Sequence, residues 1–385
     1  MTSKKSRLEE LGDRLQTVDF LWMDLLKRRM DLALDVIDEK VRIAREKGEE
    51  PVIFRREIEE ERLAEIAEHA EQIGISTHFA RTMLYSAIGE SCKIQMIKLQ
   101  GLAGGGSKGP QTESERNAEF KRTLLALTKR VAPIYDVGYD EAYPATNTYF
   151  QFERKLFVRE ITDLPDCELM LDLGCGTGTL ACRMAATFKR VVGYDISPHM
   201  LEVAKIKATG KQIENAEFRE ADLNLGIPET DDSVSLVAMS LGTASDMHGI
   251  DAVIAEIQRV LKPGGRFVLS FYNREALLYR WDFIPWDVGL AAVVNIHRDC
   301  LDVHADGETF SVYARAYTLG EVRALIEAQP ELKVEHLVTY PTMSSILPAE
   351  LFNDQGEVRL AIVAIDEQLS QGDTGAYIIV TGVKQ

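Results

Sequence analysis

Apolar positions follow two different rhythms along this chain. In the first hundred residues they recur at three- and four-residue steps. Leu8, Leu11, Leu15, Val18, Trp22 and Leu25 mark one face of a helix. The spacing predicts a helix reaching about Lys47, on the order of 60 Å long at 1.5 Å per residue. A break at Gly48 to Pro51 precedes two further predicted helices, over about 55–73 and 76–100. These cannot bury so long a stripe alone, so self-association is expected, with an interlocked helical homodimer the simplest arrangement.

The rhythm stops at residues 101–116, GLAGGGSKGPQTESER, which are too rich in Gly and polar residues to build a core and are expected to be a flexible linker. A helix is predicted over 115–135, followed by an aromatic stretch with Tyr135, Tyr139, Tyr143, Tyr149 and Phe150. Short apolar runs then alternate with amphipathic segments. Strands are predicted at 169–173, 191–195, 216–220, 234–239 and 266–271, with helices at 179–187, 198–209 and 250–261. A helix at 319–328 and strands at 332–339 and 376–383 complete the reading. The expected fold is multidomain: an all-α bundle over 1–100, then an α/β Rossmann-like domain over 117–385.

Charge and cysteine usage narrow the function. A formal net charge of −17 opposes nucleic-acid and anionic-membrane partners at long range. Cys92, Cys167, Cys175, Cys182 and Cys300 form no CxxC pair, so neither a zinc site nor a disulfide frame is expected. No apolar h-region follows MTSKKSRLEELGDR, and no apolar run approaches a membrane span. The expected location is cytoplasmic.

The candidate chemistry starts at Leu169-Met-Leu-Asp-Leu-Gly-Cys-Gly-Thr-Gly-Thr-Leu-Ala, a buried strand, a glycine loop and a helix in that order. Gly174, Gly176 and Gly178 let the backbone pass close to a ligand, and the helix start offers unpaired N–H groups. Asp172 suits an ammonium group, and Asp195, ending the second strand, suits ribose hydroxyls. Asp222 suits an adenine amino group, and Leu223 beside it and Ser240, which opens the loop after the fourth strand, are also expected at the cofactor. A dinucleotide site has a similar outline, but here the glycines read GxGxG with an aspartate two positions before them. This combination resembles the class I S-adenosylmethionine-dependent methyltransferases over about 110 residues. The resemblance implies S-adenosylmethionine as cofactor and a small-molecule methyl acceptor.

In-line methyl transfer depends mainly on alignment. The loop Ser240-Leu-Gly-Thr-Ala-Ser-Asp-Met-His would face the methyl group, with His248 a candidate base or simply a polar surface residue. The aromatic stretch before the domain is either a lid or a packing layer. Arg280, Trp281, Trp286, Arg298 and Arg315 follow the fifth strand, and the arginines there suit a carboxylate-bearing acceptor or surface ion pairs.

The helical segment carries charges in unexpected places. Continuing its first stripe gives Arg29, Leu32, Val36 and Lys40. The second helix projects back from Leu63, Ile66, Ala70 and Ile73 to Glu59. The third leads from Leu84 and Ile88 to Ser91, Gln95 and Leu99. Buried charge demands partners, so these positions predict a polar pocket between helices. The set resembles the AroQ-type chorismate mutases over about residues 7–100. In that family such a cation as Arg29 holds a substrate carboxylate, Lys40 and Gln95 contact the ether oxygen, Glu59 takes the hydroxyl, and Ser91 adds a polar contact. Two family arginines are missing: Gly12 stands seven residues before Asp19, and Ile58 immediately before Glu59, with Arg14 and Arg55 on neighbouring turns.

These features imply a methyltransferase joined to a domain that takes chorismate or a related acid, the acceptor being a carboxylate-bearing metabolite. Two alternatives stay open: a mutase that also carboxylates S-adenosylmethionine with prephenate, and a non-catalytic sensor in which both domains only bind metabolites.

Overall fold

The computed structural model describes residues 6–48, 51–52, 56–77, 79–81, 83–84, 87–88, 91–92, 94–95, 98, 113–137, 143–280, 293–296, 298–305, 308–352 and 356–385. The expected linker lies outside these up to residue 112, as do Arg55, Leu99, Tyr139, Trp281 and Trp286. Contacts divide the chain into two units, Met1–Pro110 and Gln111–Gln385.

The first unit is helical. Helix α1 spans Arg7–Lys47 and α2 spans Arg56–Gln72, and further helical positions lie between 77 and 98. The face of α1 that packs is not quite the predicted one. Ala33, Ile37 and Ala44 are buried, whereas Leu32 and Val36 are 63% and 47% exposed. Arg29 and Lys40 fall on the Ala33–Ile37 side at heptad-like spacing, so the charges are on the seam and two of the apolar residues are off it. Leu8, Leu15, Val18 and Leu25 are all exposed.

The second unit opens with α3, Glu113–Val131, which begins within the stretch expected to be linker. Helix α4, Pro144–Thr162, starts from an extended Tyr143 with proline in its first turn, where the missing N–H costs nothing. The core sheet then builds from β1 (Leu169–Leu173), β2 (Arg190–Asp195), β3 (Ala216–Glu220), β4 (Val234–Met239) and β5 (Leu261–Asn273). Connecting helices are α5 (Thr179–Met184), α6 (Pro198–Gly210) and α7 (Ile250–Val260). Helix α6 is capped by Ser197, which accepts from Met200 N–H. Helix α7 buries Ile250, Val253, Ile254, Ile257 and Val260, one continuous stripe against the sheet.

After β5 come β6 (Val294–Asn295), β7 (Cys300–Ala305) and β8 (Glu308–Tyr313), a small antiparallel sheet absent from the sequence reading. Short β9 (Ala316–Tyr317), α8 (Leu319–Glu327), β10 (Leu332–Tyr340), α9 (Glu357–Leu369) and β11 (Tyr377–Lys384) follow. The main sheet runs β10-β11-β5-β4-β1-β2-β3, with β9 on the end of β5. Strands β1 to β5 are parallel, and β11 enters antiparallel between β5 and β10. Strand β1 lies between β2 and β4, so connections leave in opposite directions there. That reversal opens a crevice at the carboxyl ends of the strands.

Candidate functional site

A cavity of about 520 Å³ occupies this crevice, within the usual range for small-molecule sites of about 300–1,000 Å³. Its floor is the turn after β1. Gly174 and Gly176 have φ of +70° and +52°, a region that favours glycine. Both line the cavity, as do Asp172, Asp195, Asp222, Leu223, Ser240 and His248. Of the expected cofactor residues, Gly178 is the exception. It also has a positive φ, but a Cβ there would lie 2.6 Å from the Phe218 ring and 2.9 Å from Ala204, so its role is packing α5 onto β3 and α6.

This difference separates two substitutions. Gly178→Ala meets both a strained backbone, costing about 1–2 kcal/mol, and a clash with Phe218 and Ala204. It is expected to lower the melting temperature clearly while surviving folded protein binds cofactor normally. At Gly176 a Cβ meets nothing within 4 Å. Gly176→Ala carries the same backbone strain, about 1–2 kcal/mol, without the clash, so it is expected to cost less stability than Gly178→Ala and to weaken cofactor binding. Thermal melts and titration calorimetry on both variants check the contrast.

The acidic groups are held by different means. Asp172 is buried and accepts from Ala181 N–H at 3.0 Å. Burial, and then the nearby Glu153 charge, push its carboxyl up to about 7. Asp195 accepts from Gly176 N–H and Ser197 N–H, each at 2.8 Å. Burial outweighs these bonds and raises its carboxyl above the usual range. Burial acts the same way on Asp222, but Lys121 at 2.7 Å and Asn224 hold that carboxyl below the ordinary value.

The roof comes from elsewhere in the chain. Helix α3 supplies Phe120, Lys121, Leu124 and Leu127, and the small sheet supplies Leu301, Val303, Val312 and Tyr313. Leu127, Val131, Phe310 and Val312 share one apolar cluster that joins the two pieces. The aromatic stretch is divided between cavity wall and core. Tyr135 and Phe150 line the cavity, whereas Tyr149 is buried beneath it, donating to Glu153 at 3.1 Å and accepting from Leu241 N–H at 3.0 Å. Ser240 also donates to Glu153. Glu153 was missed in the sequence, although it interrupts the apolar face of α4 between Tyr149 and Phe157, as Arg29 interrupts α1.

The arginines expected beside the acceptor do not line the cavity, although Arg298 borders a neighbouring pocket that shares Phe120. Arg280 pairs with Asp373 at 2.7 Å, and Arg298 with Asp302 at 3.8 Å. Arg315 pairs with Glu321 and lies over Tyr317. His248 packs 4.0 Å from Tyr313 and 5.9 Å from Phe120, centroid to centroid.

Residues 167–295 match the family model described as a methyltransferase domain. A demethylmenaquinone methyltransferase from Clavibacter sepedonicus is 37% identical over 207 residues, 49% of this chain and 81% of that protein. The chain belongs to the class I S-adenosylmethionine-dependent methyltransferases. A second relative of this methyltransferase, from Tropheryma whipplei strain Twist, carries the same description, at 32% identity over 34% of this chain and 55% of its own length. A ubiquinone/menaquinone biosynthesis C-methyltransferase from Zymomonas mobilis is 32% identical over 38% of this chain and 58% of its own length. The methyltransferase thus spans little more than half of these two relatives. Its cofactor is S-adenosylmethionine, and the open space at Gly176 with three carboxylates at the strand ends fits that molecule.

In the helical unit Arg29 and Ser91 are in direct contact, whereas Glu59 pairs with Arg62 at 3.3 Å. Arg29 donates to the Ala87 carbonyl at 2.6 Å and to Ser91, and Gln95 Nε2 donates to the Ala33 carbonyl at 2.9 Å. Glu59 acts on both Arg29 and Cys92, and Lys40 acts on Cys92. Burial, then Glu59, pushes the Cys92 thiol up to about 11. Gln95 Oε1 is enclosed with no hydrogen-bond partner among the described residues. Gly12 lies on open helix surface with nothing within 4 Å of a built Cβ, and Ile58 is exposed.

Proposed function

We propose that this methyltransferase acts on a flat, largely apolar aromatic acceptor of the hydroquinone class. The observation that carries this reading is the roof: Phe120, Leu124, Leu301, Val303, Val312 and Tyr313 give an apolar, aromatic wall. Among the described residues no arginine lines the cavity, and its lysine, Lys121, is paired with Asp222. A carboxylate-bearing acceptor, prephenate included, would leave its charge unmet there. The names of the quinone-methylating relatives support the same class.

In this reading Asp172 takes the cofactor ammonium, Asp195 the ribose hydroxyls and Asp222 the adenine amino group. Leu223 packs on the base, and Ser240 fixes Glu153 beneath the site. The bound sulfonium supplies an electrophilic methyl group. The chain aligns the acceptor against it and excludes water with the α3 roof. The test is anaerobic incubation with S-adenosylmethionine and a short-prenyl 1,4-naphthohydroquinone lacking the ring methyl. A product heavier by one methylene supports the reading, and no demethylated cofactor above the acceptor-free control overturns it.

Asp172 gives the binding step a pH signature. Pairing with an ammonium needs the carboxylate, so affinity should rise as pH passes upward through about 7, by up to about tenfold per unit below that point. The sign for stability is opposite. The folded-state value is raised, so this group's contribution is present below the ordinary carboxylate range and lost as pH climbs through about 7. Calorimetry from pH 5.5 to 8 checks it, and a flat affinity would remove Asp172 from the role.

A second reading concerns the helical unit. The convergence of Arg29, Lys40, Glu59, Ser91 and Gln95, with Gln95 Oε1 left without a partner among the described residues, supports a pocket for chorismate or a related acid. The exposed Leu8, Leu15, Val18 and Leu25 support a homodimer through α1. Loss of chorismate absorbance and sedimentation of the full chain test the two. Unchanged chorismate excludes turnover, and a monomer at micromolar concentration excludes the dimer.

A further inference from the structure

The turn after β4 carries a carboxylate with one oxygen left without a hydrogen-bond partner among the described residues. Asp246 closes the 3-10 turn Thr243–Asp246 on the cavity wall. Its Oδ1 is fully enclosed and has no hydrogen-bond partner among the described residues. Buried acceptors are nearly always satisfied, so such an atom needs an explanation. The turn around it is fixed on every side. Leu241 and Gly242 both have positive φ, and Gly242 N–H donates to Ser270 Oγ at 3.0 Å. Ser245 Oγ accepts from Tyr272 N–H at 2.8 Å, and its carbonyl accepts from Arg315 N–H at 2.9 Å. A Cβ on Gly242 would lie 2.8 Å from the Tyr272 ring, so only glycine lets the turn pass this close to β5. The position of Asp246 is therefore imposed by the fold.

Its surroundings hold no compensating cation among the described residues. Asp195 at the end of β2, Tyr272 on β5, Tyr313 on β8 and His248 in the same loop share the wall, and Lys121 on α3 is taken by Asp222. Burial, and then the Asp195 charge, raise the Asp246 carboxyl well above its ordinary value. A carboxylate so placed is a stronger base than an exposed one.

We propose that Asp246 is the proton acceptor of the methyl-transfer reaction, taking the hydroxyl proton of the acceptor ring. The proposal rests on the hydroquinone reading above. As the ring O–H proton passes to the Asp246 carboxylate, its electron pair feeds through the ring to the attacking carbon. The new carbon–methyl bond forms there while the methyl–sulfur bond breaks, leaving its pair on sulfur. The ring hydrogen on that carbon then moves to oxygen, which restores the hydroquinone, and Asp246 returns its proton to solvent. One proton is released per turnover. His248, packed on Tyr313, belongs to the wall that positions the ring.

The test compares wild type, Asp246→Asn and His248→Gln by kcat/KM for the short-prenyl naphthohydroquinone from pH 5.5 to 9, with S-adenosylmethionine saturating at every pH so that Asp172 does not shape the profile, and by calorimetry for the cofactor. Asp246→Asn is expected to lower kcat/KM by roughly 100-fold or more. It should also lose the acid limb of the profile and keep cofactor affinity within about threefold, the split expected of a group that acts in the transfer step and not in cofactor binding. His248→Gln should lower turnover without removing the acid limb. An Asp246→Asn variant within about fivefold of wild type, or one that keeps the acid limb, overturns the role of Asp246 alone. A wild type inert toward the naphthohydroquinone overturns the acceptor reading, and the proposal falls with it.

Discussion

Replacing Asp195 with alanine is expected to weaken S-adenosylmethionine binding by on the order of 100-fold, about 2.8 kcal/mol. The carboxylate does two jobs. It is the proposed ribose acceptor, and it accepts the Gly176 and Ser197 N–H groups that shape the glycine loop and the start of α6. Each charge-assisted bond contributes about 1.5–3 kcal/mol, and part of the loss is the orphaned N–H groups themselves. Asp195→Asn keeps an acceptor oxygen and the volume, so it should recover much of the stability but less of the affinity. Calorimetry and thermal melts on both variants separate the two contributions. An alanine variant that binds within fivefold of wild type would remove Asp195 from the cofactor site.

The largest expected stability effect lies outside the site. Glu160 on α4 is wholly buried and accepts from Arg266 Nε of β5 at 2.6 Å, while Arg266 is itself 5% exposed. Glu160→Ala leaves that guanidinium with Glu335 and a distant Asp163 at 3.9 Å. Removing one partner of a buried pair costs about 3–5 kcal/mol, because an uncompensated charge remains in low dielectric. The lower end is expected here, since Glu335 still compensates in part. Glu160→Ala with Arg266→Met should recover stability, since neither charge then stays buried alone. A denaturant melt on the single and double variants decides it; additive losses would contradict the pairing argument.

The parallel core was legible in the chain because its strands are buried on both faces. Leu169–Leu173 and Val234–Met239 read as short apolar runs broken only by Asp172 and Ser235, the pattern of strands covered on both faces. The glycine turn was legible because GxGxG with Asp172 before it states a local geometry. What stayed hidden depends on distant segments meeting. Phe120 and Lys121 are an ordinary aromatic and cation on an amphipathic helix until α3 folds over the strand ends. Helix α4 was obscured by its aromatic and threonine content, which favours strands as readily as helices. The hairpin of β7 and β8 did leave a sign: Asp306-Gly307 stands between alternating Leu301, Val303 and Phe310, Val312. Asp246 left none, since an aspartate in a loop is unremarkable until its Oδ1 is seen to be enclosed.

The two halves of the cavity are made by different parts of the chain. Its floor comes from the strand ends between Asp172 and Ser240, and its ceiling from α3 and the β7–β8 hairpin. Substitutions in Phe120, Leu124, Val303 or Val312 can therefore reshape the ceiling without moving a residue of the floor. The architecture allows acceptor preference to drift quickly during evolution while the methyl donor stays the same, and makes those four positions the natural library for redirecting the enzyme to a different acceptor.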